Sequence, residues 1–303
     1  MSLWGKTMSR LHRVGAPTRA WLTLVLLVVA CSGKIAEPIR PPAQYAAFDW
    51  AQSPLTEVQF FNEMTTWMDT SNRFTGRNAF RDRQAAFESM ARDGFEPAIA
   101  AVALFDFVRA ESRVDAGAFK RLLAAANTGD LSAQCALYPV YFLSVKSFPV
   151  PDPAATLSPL LQDGAKRGHF ACQFYMGVFL AEGRQGFGVD QARAEPLIVA
   201  AAVQGSVRAQ KYQAFRIGPD RIDDLRKAEE ALCWMASTYR HSKYEGADMF
   251  ANGIRFKAMD VRDGTGNDEL LRRVEALIDH WLISRNPTQP KDTDPHECLN
   301  YRK

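Results

Sequence analysis

The sequence predicts an all-α fold, an α-solenoid of antiparallel helix pairs, and three observations carry that expectation. Gly94, Gly129, Gly168 and Gly205 recur at intervals of 35, 39 and 37 residues, each closing one helical run and preceding another. Four residues after each glycine stands a small residue, Ala98, Ala133, Cys172 or Ala209, and three of these are followed at once by Gln134, Gln173 and Gln210. Finally, no segment of the body alternates apolar and polar residues with the two-residue period of a strand. A period of this length suits a two-helix unit stacked on its neighbours. Glycine ends a helix in the left-handed conformation at little steric cost, and a small residue one turn into the next helix lets backbones approach closely.

The first element is a leader. Lys6, Arg10, Arg13 and Arg19 precede the uncharged run AWLTLVLLVVAC, Ala20 to Cys31. A bilayer-spanning helix needs roughly 20 apolar residues. This run is shorter and fits a secretory signal over residues 1–30, with Met1 and Met8 as alternative starts. The ending VVAC resembles the lipobox of bacterial lipoproteins, which implies lipidation of Cys31 and anchoring through acyl chains at about 0.8 kcal/mol per buried methylene. Ser32 stands where an aspartate would imply inner-membrane retention, so the same resemblance implies the outer membrane, facing the periplasm. Removing the leader's four basic residues leaves 33 basic against 34 acidic ones, a mature chain near −1. The basic pI is thus a leader effect and gives no reason to expect nucleic acid.

Residues 31–54 follow as a tether, with Pro38, Pro41, Pro42 and Pro54 and no sustained period. Residues 55–284 form one helical body, long enough for a continuous core. It opens with LTEVQFFNEMTTWMD, Leu55 to Asp69, whose apolar residues fall at helical spacing. The four glycine-centred units then occupy about residues 90–240, and DELLRRVEALIDHWL, Asp268 to Leu282, closes the body with another periodic run. Residues 285–303 read as an irregular tail.

Within the third unit, AEGRQGFGVDQARAE, Ala181 to Glu195, packs Gly183, Gly186 and Gly188 into six residues. A phosphate-binding loop would need a preceding buried strand and, for nucleoside triphosphates, Gly-Lys-Ser/Thr at its end. Neither is present. The stretch reads as a turn: a helix from about His169 to Glu182, Gly183 as its terminator, and Asp190 as the cap of the next helix.

At these residues the chain resembles a known family. AKRGHFACQFYMGVFLAEGRQGFGVDQARAEPLIVAAAVQG, Ala165 to Gly205, is similar to one full Sel-one-like repeat, a relative of the tetratricopeptide repeats. Cys172 stands for the family's alanine and Met176-Gly177 for its Leu-Gly, while Leu180 departs from its tyrosine. The units at Gly129 and Gly205 match less fully and that at Gly94 is degenerate, while DDLRKAEEALCWMA, Asp223 to Ala236, is similar to another second helix. The resemblance implies a non-enzymatic solenoid that binds proteins. Some members staple their repeats with disulfides, which implies the same for this chain.

Four cysteines remain after Cys31: Cys135, Cys172, Cys233 and Cys298. An oxidising compartment permits bridges, and the four allow three full connectivities. Pairing of Cys233 with Cys298 is preferred, because the tail otherwise has little to hold it. Cys172, at a small-residue position, also reads simply as a small buried hydrophobe.

Signals for chemistry are sparse. His12, His169, His241, His280 and His296 fall in different segments, without an HExxH or a partner pair at metal-ligand spacing, and no Gly-x-Ser-x-Gly elbow occurs. The reading is therefore no catalytic residue, no metal and no cofactor, with Asp223-Asp224 and Glu229-Glu230 on solvated helix faces. Tyr175 and Tyr212, each seven residues after its glycine, are expected side by side on a protein-binding face, with half-buried packing as the competing reading. The expectation is a scaffold anchored in the envelope and binding another protein. An immunity protein against a periplasm-delivered toxin such as a lipase is the alternative, and a wall-modifying hydrolase the rival from another class.

Overall fold

A computed structural model of the chain describes residues 48–70, 76–110, 116–144, 150, 152–218, 224–242, 247–266, 268–284 and 295–302. Among the described residues the regular structure is helical, and no strand occurs. The leader and Cys31 lie outside them.

The body begins earlier than the sequence suggests. Phe48 stacks on Phe95 at 4.2 Å and Trp50 meets the same ring edge-on at 5.0 Å. Both belong to the segment read as tether. They lack a helical period, so only their burial against a turn about 45 residues away reveals them as part of the core.

Helix α1 (Glu57–Thr70) starts at a reciprocal cap. The Gln59 amide donates to Thr56 Oγ1 at 3.2 Å, and the Thr56 amide donates to Gln59 Oε1 at 2.9 Å. Helices α2 (Gly76–Arg92), α3 (Glu96–Ala110), α4 (Ala116–Asn127), α5 (Leu131–Ser144), α6 (Pro153–Lys166), α7 (Phe170–Glu182), α8 (Gln191–Val203), α9 (Val207–Ile217) and α10 (Leu225–Ser242) follow. Each packs on the next, while α3, α5 and α7 also touch in succession. Then come α11 (Ala247–Thr265), α12 (Glu269–Ser284) and a 3-10 segment, Glu297–Arg302, laid on α10.

The four recurring glycines have one geometry. Gly94, Gly129, Gly168 and Gly205 hold φ of 84, 94, 88 and 93°. At each, the glycine amide bonds the carbonyl three residues back and the following amide bonds the carbonyl five residues before it, as in Gly129 to Ala126 and Asp130 to Ala125. This pair of bonds satisfies the orphan carbonyls of a helix end. The glutamines of the sequence pattern complete it: Gln134 Nε2 donates to Ala126 O and Gln210 Nε2 to Ala202 O, each reaching back eight residues to the preceding helix end. Gln173 instead accepts from Gln204 Nε2 at 2.8 Å.

Small residues set the helix spacing. A side chain at Gly177 would meet Ile198 and come within 3.0 Å of the Ala194 carbonyl, so α7 and α8 approach at a distance only glycine permits. Gly164 on α6 faces the bridge between Cys135 of α5 and Cys172 of α7, whose Cα atoms stand 5.0 Å apart. Cys172 is therefore bridged as well as buried.

Helix α1 lies across the glycine turns. Phe60, Phe61 and Met64 are buried, Phe60 packing on Phe87 and Phe95, and Phe61 on His169 and Phe170. Asn62 Nδ2 donates to Gly205 O at 2.8 Å, and the Val207 amide donates to Asn62 Oδ1 at 3.0 Å. One side chain thus serves the first turn of α9 across more than 140 residues.

Within the stretch read as an irregular tail, Glu297–Arg302 form a 3-10 turn. Cys298 is buried and bonded to Cys233 of α10, with Cα atoms 5.5 Å apart. Residues 285–294 lie outside the described residues.

Candidate functional site

The glycine-rich stretch is a turn. Gly183 ends α7 in the left-handed conformation, its amide donating to Phe179 O, and Asp190 caps α8 by accepting from the Arg193 amide. Two of its amides are committed to the end of α7, Arg184 bonding Phe179 O and Asp190 bonding Leu180 O, and the Phe187 amide closes the turn on Arg184 O.

Tyr175 departs from the expected binding face. It is 3% exposed, its ring 6.3 Å from those of Tyr138 and Phe179, and its hydroxyl accepts from Arg208 Nη1 at 3.1 Å. The physical reason is the neighbouring unit: Tyr138 of α5 lies on one side and Arg208 of α9 reaches it from the other. Tyr175 is a packing residue that ties α7 to α9. Tyr212 is half-buried, its ring 6.4 Å from Phe174 rather than paired with Tyr175. Burial pushes the Tyr212 hydroxyl up from the usual tyrosine range, the Glu182 carboxylate adds to this, and the Arg216 guanidinium opposes it.

What Tyr212 belongs to is a stripe on α9. Gln210, Gln213, Ala214 and Ile217 form the buried side of this helix. Arg208, Lys211, Tyr212 and Phe215 recur at the same helical spacing on the side turned outward, half-buried except for Phe215, which is 49% exposed. The Phe215 ring rests edge-on against Phe250 of α11 at 5.1 Å. Its position is fixed on one side and open on the other. Phe215 falls outside the glycine spacing that marks the tyrosines, and its trace in the sequence is the aromatic three residues after Tyr212 in KYQAFR.

A groove of about 590 Å³ opens between α6, α7 and α8, with Met176, Pro196 and Leu197 along it and Gln162, Lys166 and Arg193 at its rim. Pockets of this size suit small molecules, but such sites converge polar groups on the ligand. Here Arg193 is paired with its own cap Asp190 at 3.8 Å.

One cluster brings together residue types used in catalysis. Ser132 Oγ donates to Glu57 Oε1 at 2.7 Å, and His169 Nε2 lies 3.1 Å from the same oxygen. His169 Nδ1 accepts the Ala171 amide as the cap of α7. A relay needs the imidazole between hydroxyl and carboxylate. In this cluster the carboxylate stands between them and both ring nitrogens are engaged, so the arrangement joins α1 to the first turns of α5 and α7. Burial alone would raise the Glu57 carboxyl, but the hydrogen bond and charge of His169 and the bond from Ser132 hold it below the usual glutamate range.

The remaining expected residues are dispersed. His280 sits on α12 and His296 before the 3-10 segment, while His12 and the His241 side chain lie outside the described residues. Among the described residues no group of three His, Cys, Asp or Glu side chains is placed to hold a metal ion, and no helix is long and apolar enough to cross a membrane. No protein-family model, curated protein or solved structure matches the chain.

Proposed function

We propose that this chain is a lipid-anchored envelope protein, an α-solenoid of Sel-one-like repeats that binds another protein through the outward stripe of α9. The repeat reading draws on the shared φ of the four glycine turns and on the matching bonds of Gln134 and Gln210. The observation that carries the binding reading is Phe215. It stands exposed at the end of a stripe that also carries Tyr212 and Lys211, while Arg208 on the same side is held by the Tyr175 hydroxyl. Aromatic rings and arginines dominate binding hot spots, since they bring large contact area with few rotatable bonds. The chemistry asked of the face is contact rather than catalysis, so the reading is non-enzymatic and needs no cofactor.

The test is a pull-down from detergent-solubilised envelope beside a thermal melt. Tyr212→Ala with Phe215→Ala should keep the melting temperature within a few degrees and lose the captured protein, aromatic anchors contributing about 2 kcal/mol or more each. Tyr175→Ala should lower stability by roughly 3 to 5 kcal/mol, as loss of a buried aromatic does. Undiminished capture by the double variant would remove α9 from the site.

A further inference from the structure

A second constructed polar cluster lies where the 3-10 segment meets α8, α9 and α10. Arg302 Nε donates to Glu230 Oε1 at 2.8 Å, and its Nη2 donates to Glu195 Oε1 at 2.7 Å and to Gln213 Oε1 at 3.3 Å. Three acceptors from three helices thus surround one guanidinium. The two carboxylates are held in place without it: Trp234 Nε1 donates to Glu230 at 3.3 Å, and Arg216 Nη2 pairs with Glu195 at 3.1 Å. Glu230 is 8% exposed and Gln213 is 1% exposed. The Gln213 Nε2 atom, on the same amide that receives Arg302, is buried and has no hydrogen-bond partner. A carboxylate so little exposed is costly without a cation.

What holds Arg302 there is a covalent clip four residues away, the bond between Cys298 and Cys233. Of the two bridges this is the one with a cysteine that is not fully buried. Cys135 and Cys172 are both 0% exposed beneath Gly164, whereas Cys233 is half-buried beside the buried Cys298.

We propose that Glu195, Glu230 and Gln213 form an arginine-receiving site, filled by the chain's own Arg302 while Cys233–Cys298 is oxidised and opened to an arginine of a partner protein when a dithiol reduces that bridge. The dithiol gives two electrons and two protons: its own sulfurs join, the Cys233–Cys298 bond breaks, and both cysteines become thiols. Only an arginine fits, because Nε and Nη2 are engaged at once by a planar fork, whereas a lysine ammonium is a single point. The site is separate from the outward stripe of α9, since Gln213 lies on the buried side of that helix.

Two measurements on the full chain test this. In the first, native protein is reduced at low dithiol concentration and alkylated, mass spectrometry confirming modification at positions 233 and 298 alone. The probe is a fluorescent peptide of residues 295–303 with serine at position 298. It should bind the reduced, alkylated protein at least tenfold more tightly than the oxidised protein, and a peptide with lysine at position 302 should bind at least tenfold more weakly. In the second, Arg302→Ala keeps the bridge but empties the pocket, so N-acetylarginine amide should raise its melting temperature and N-acetyllysine amide should not. Equal binding in both redox states, equal binding of the two peptides, loss of helical circular dichroism on reduction, or absence of rescue by the arginine amide would each overturn the proposal.

Discussion

At the residue scale, two glycines four positions apart act for opposite reasons. Gly168 holds a φ of 88° with nothing within 4 Å of an added Cβ, so its role is conformational. Gly164 is a question of space, since an added Cβ would overlap the Cys172 sulfur and lie 2.8 Å from that of Cys135. Gly168→Ala should therefore cost about 1 to 2 kcal/mol and leave the Cys135–Cys172 bridge formed. Gly164→Ala should cost about 1 to 3 kcal/mol by overpacking and make that bridge slower to form. Chemical denaturation with thiol titration during refolding separates the two. The spacing of Gly168 was legible in the sequence because the left-handed turn demands glycine whatever surrounds it. Gly164 was not, because its demand comes from sulfur atoms on two other helices. Tyr175 and Tyr212 show the same limit: their spacing is identical, but depth depends on Tyr138 and Arg208 in neighbouring helices.

At the scale of elements, α1 was legible as a helix and illegible as a brace. Its apolar period announces burial of Phe60, Phe61 and Met64. Nothing local announces that Glu57 and Asn62 will serve the first turns of α5, α7 and α9. The Glu57 contact has a pH signature. Its folded-state pKa lies below the ordinary glutamate value, so the stability it contributes is present above that value and is lost as pH falls through the folded pKa. The melting-temperature difference between the wild type and Glu57→Gln should be full at neutral pH and shrink below about pH 4. A difference that stays constant down to pH 3 would mean that the carboxylate charge is not what α1 uses. The C-terminal segment is the mirror case. Its lack of a period hid a 3-10 turn whose order comes from Cys233 and from Arg302 reaching three helices.

At the scale of the whole molecule, the glycine period, the small residues and the absence of strand alternation pointed to helices packed in sequence, and the described residues are helical with each helix on the next. The proposed anchoring rests on the resemblance of VVAC to a lipobox alone. Cys31→Ala should abolish acyl labelling and move the protein out of the membrane fraction or leave an uncleaved precursor; unchanged labelling would contradict the lipid anchor. Whether the stripe of α9 meets another protein is read most directly by site-specific photo-cross-linking in intact cells. A cross-linking residue in place of Phe215 should give one discrete adduct, and the same residue in place of Phe256, exposed to 64% on α11, should give none. Absence of an adduct at position 215, with the protein folded and in the membrane fraction, or equal adducts at both positions, would mean that the stripe of α9 is not a protein-binding face.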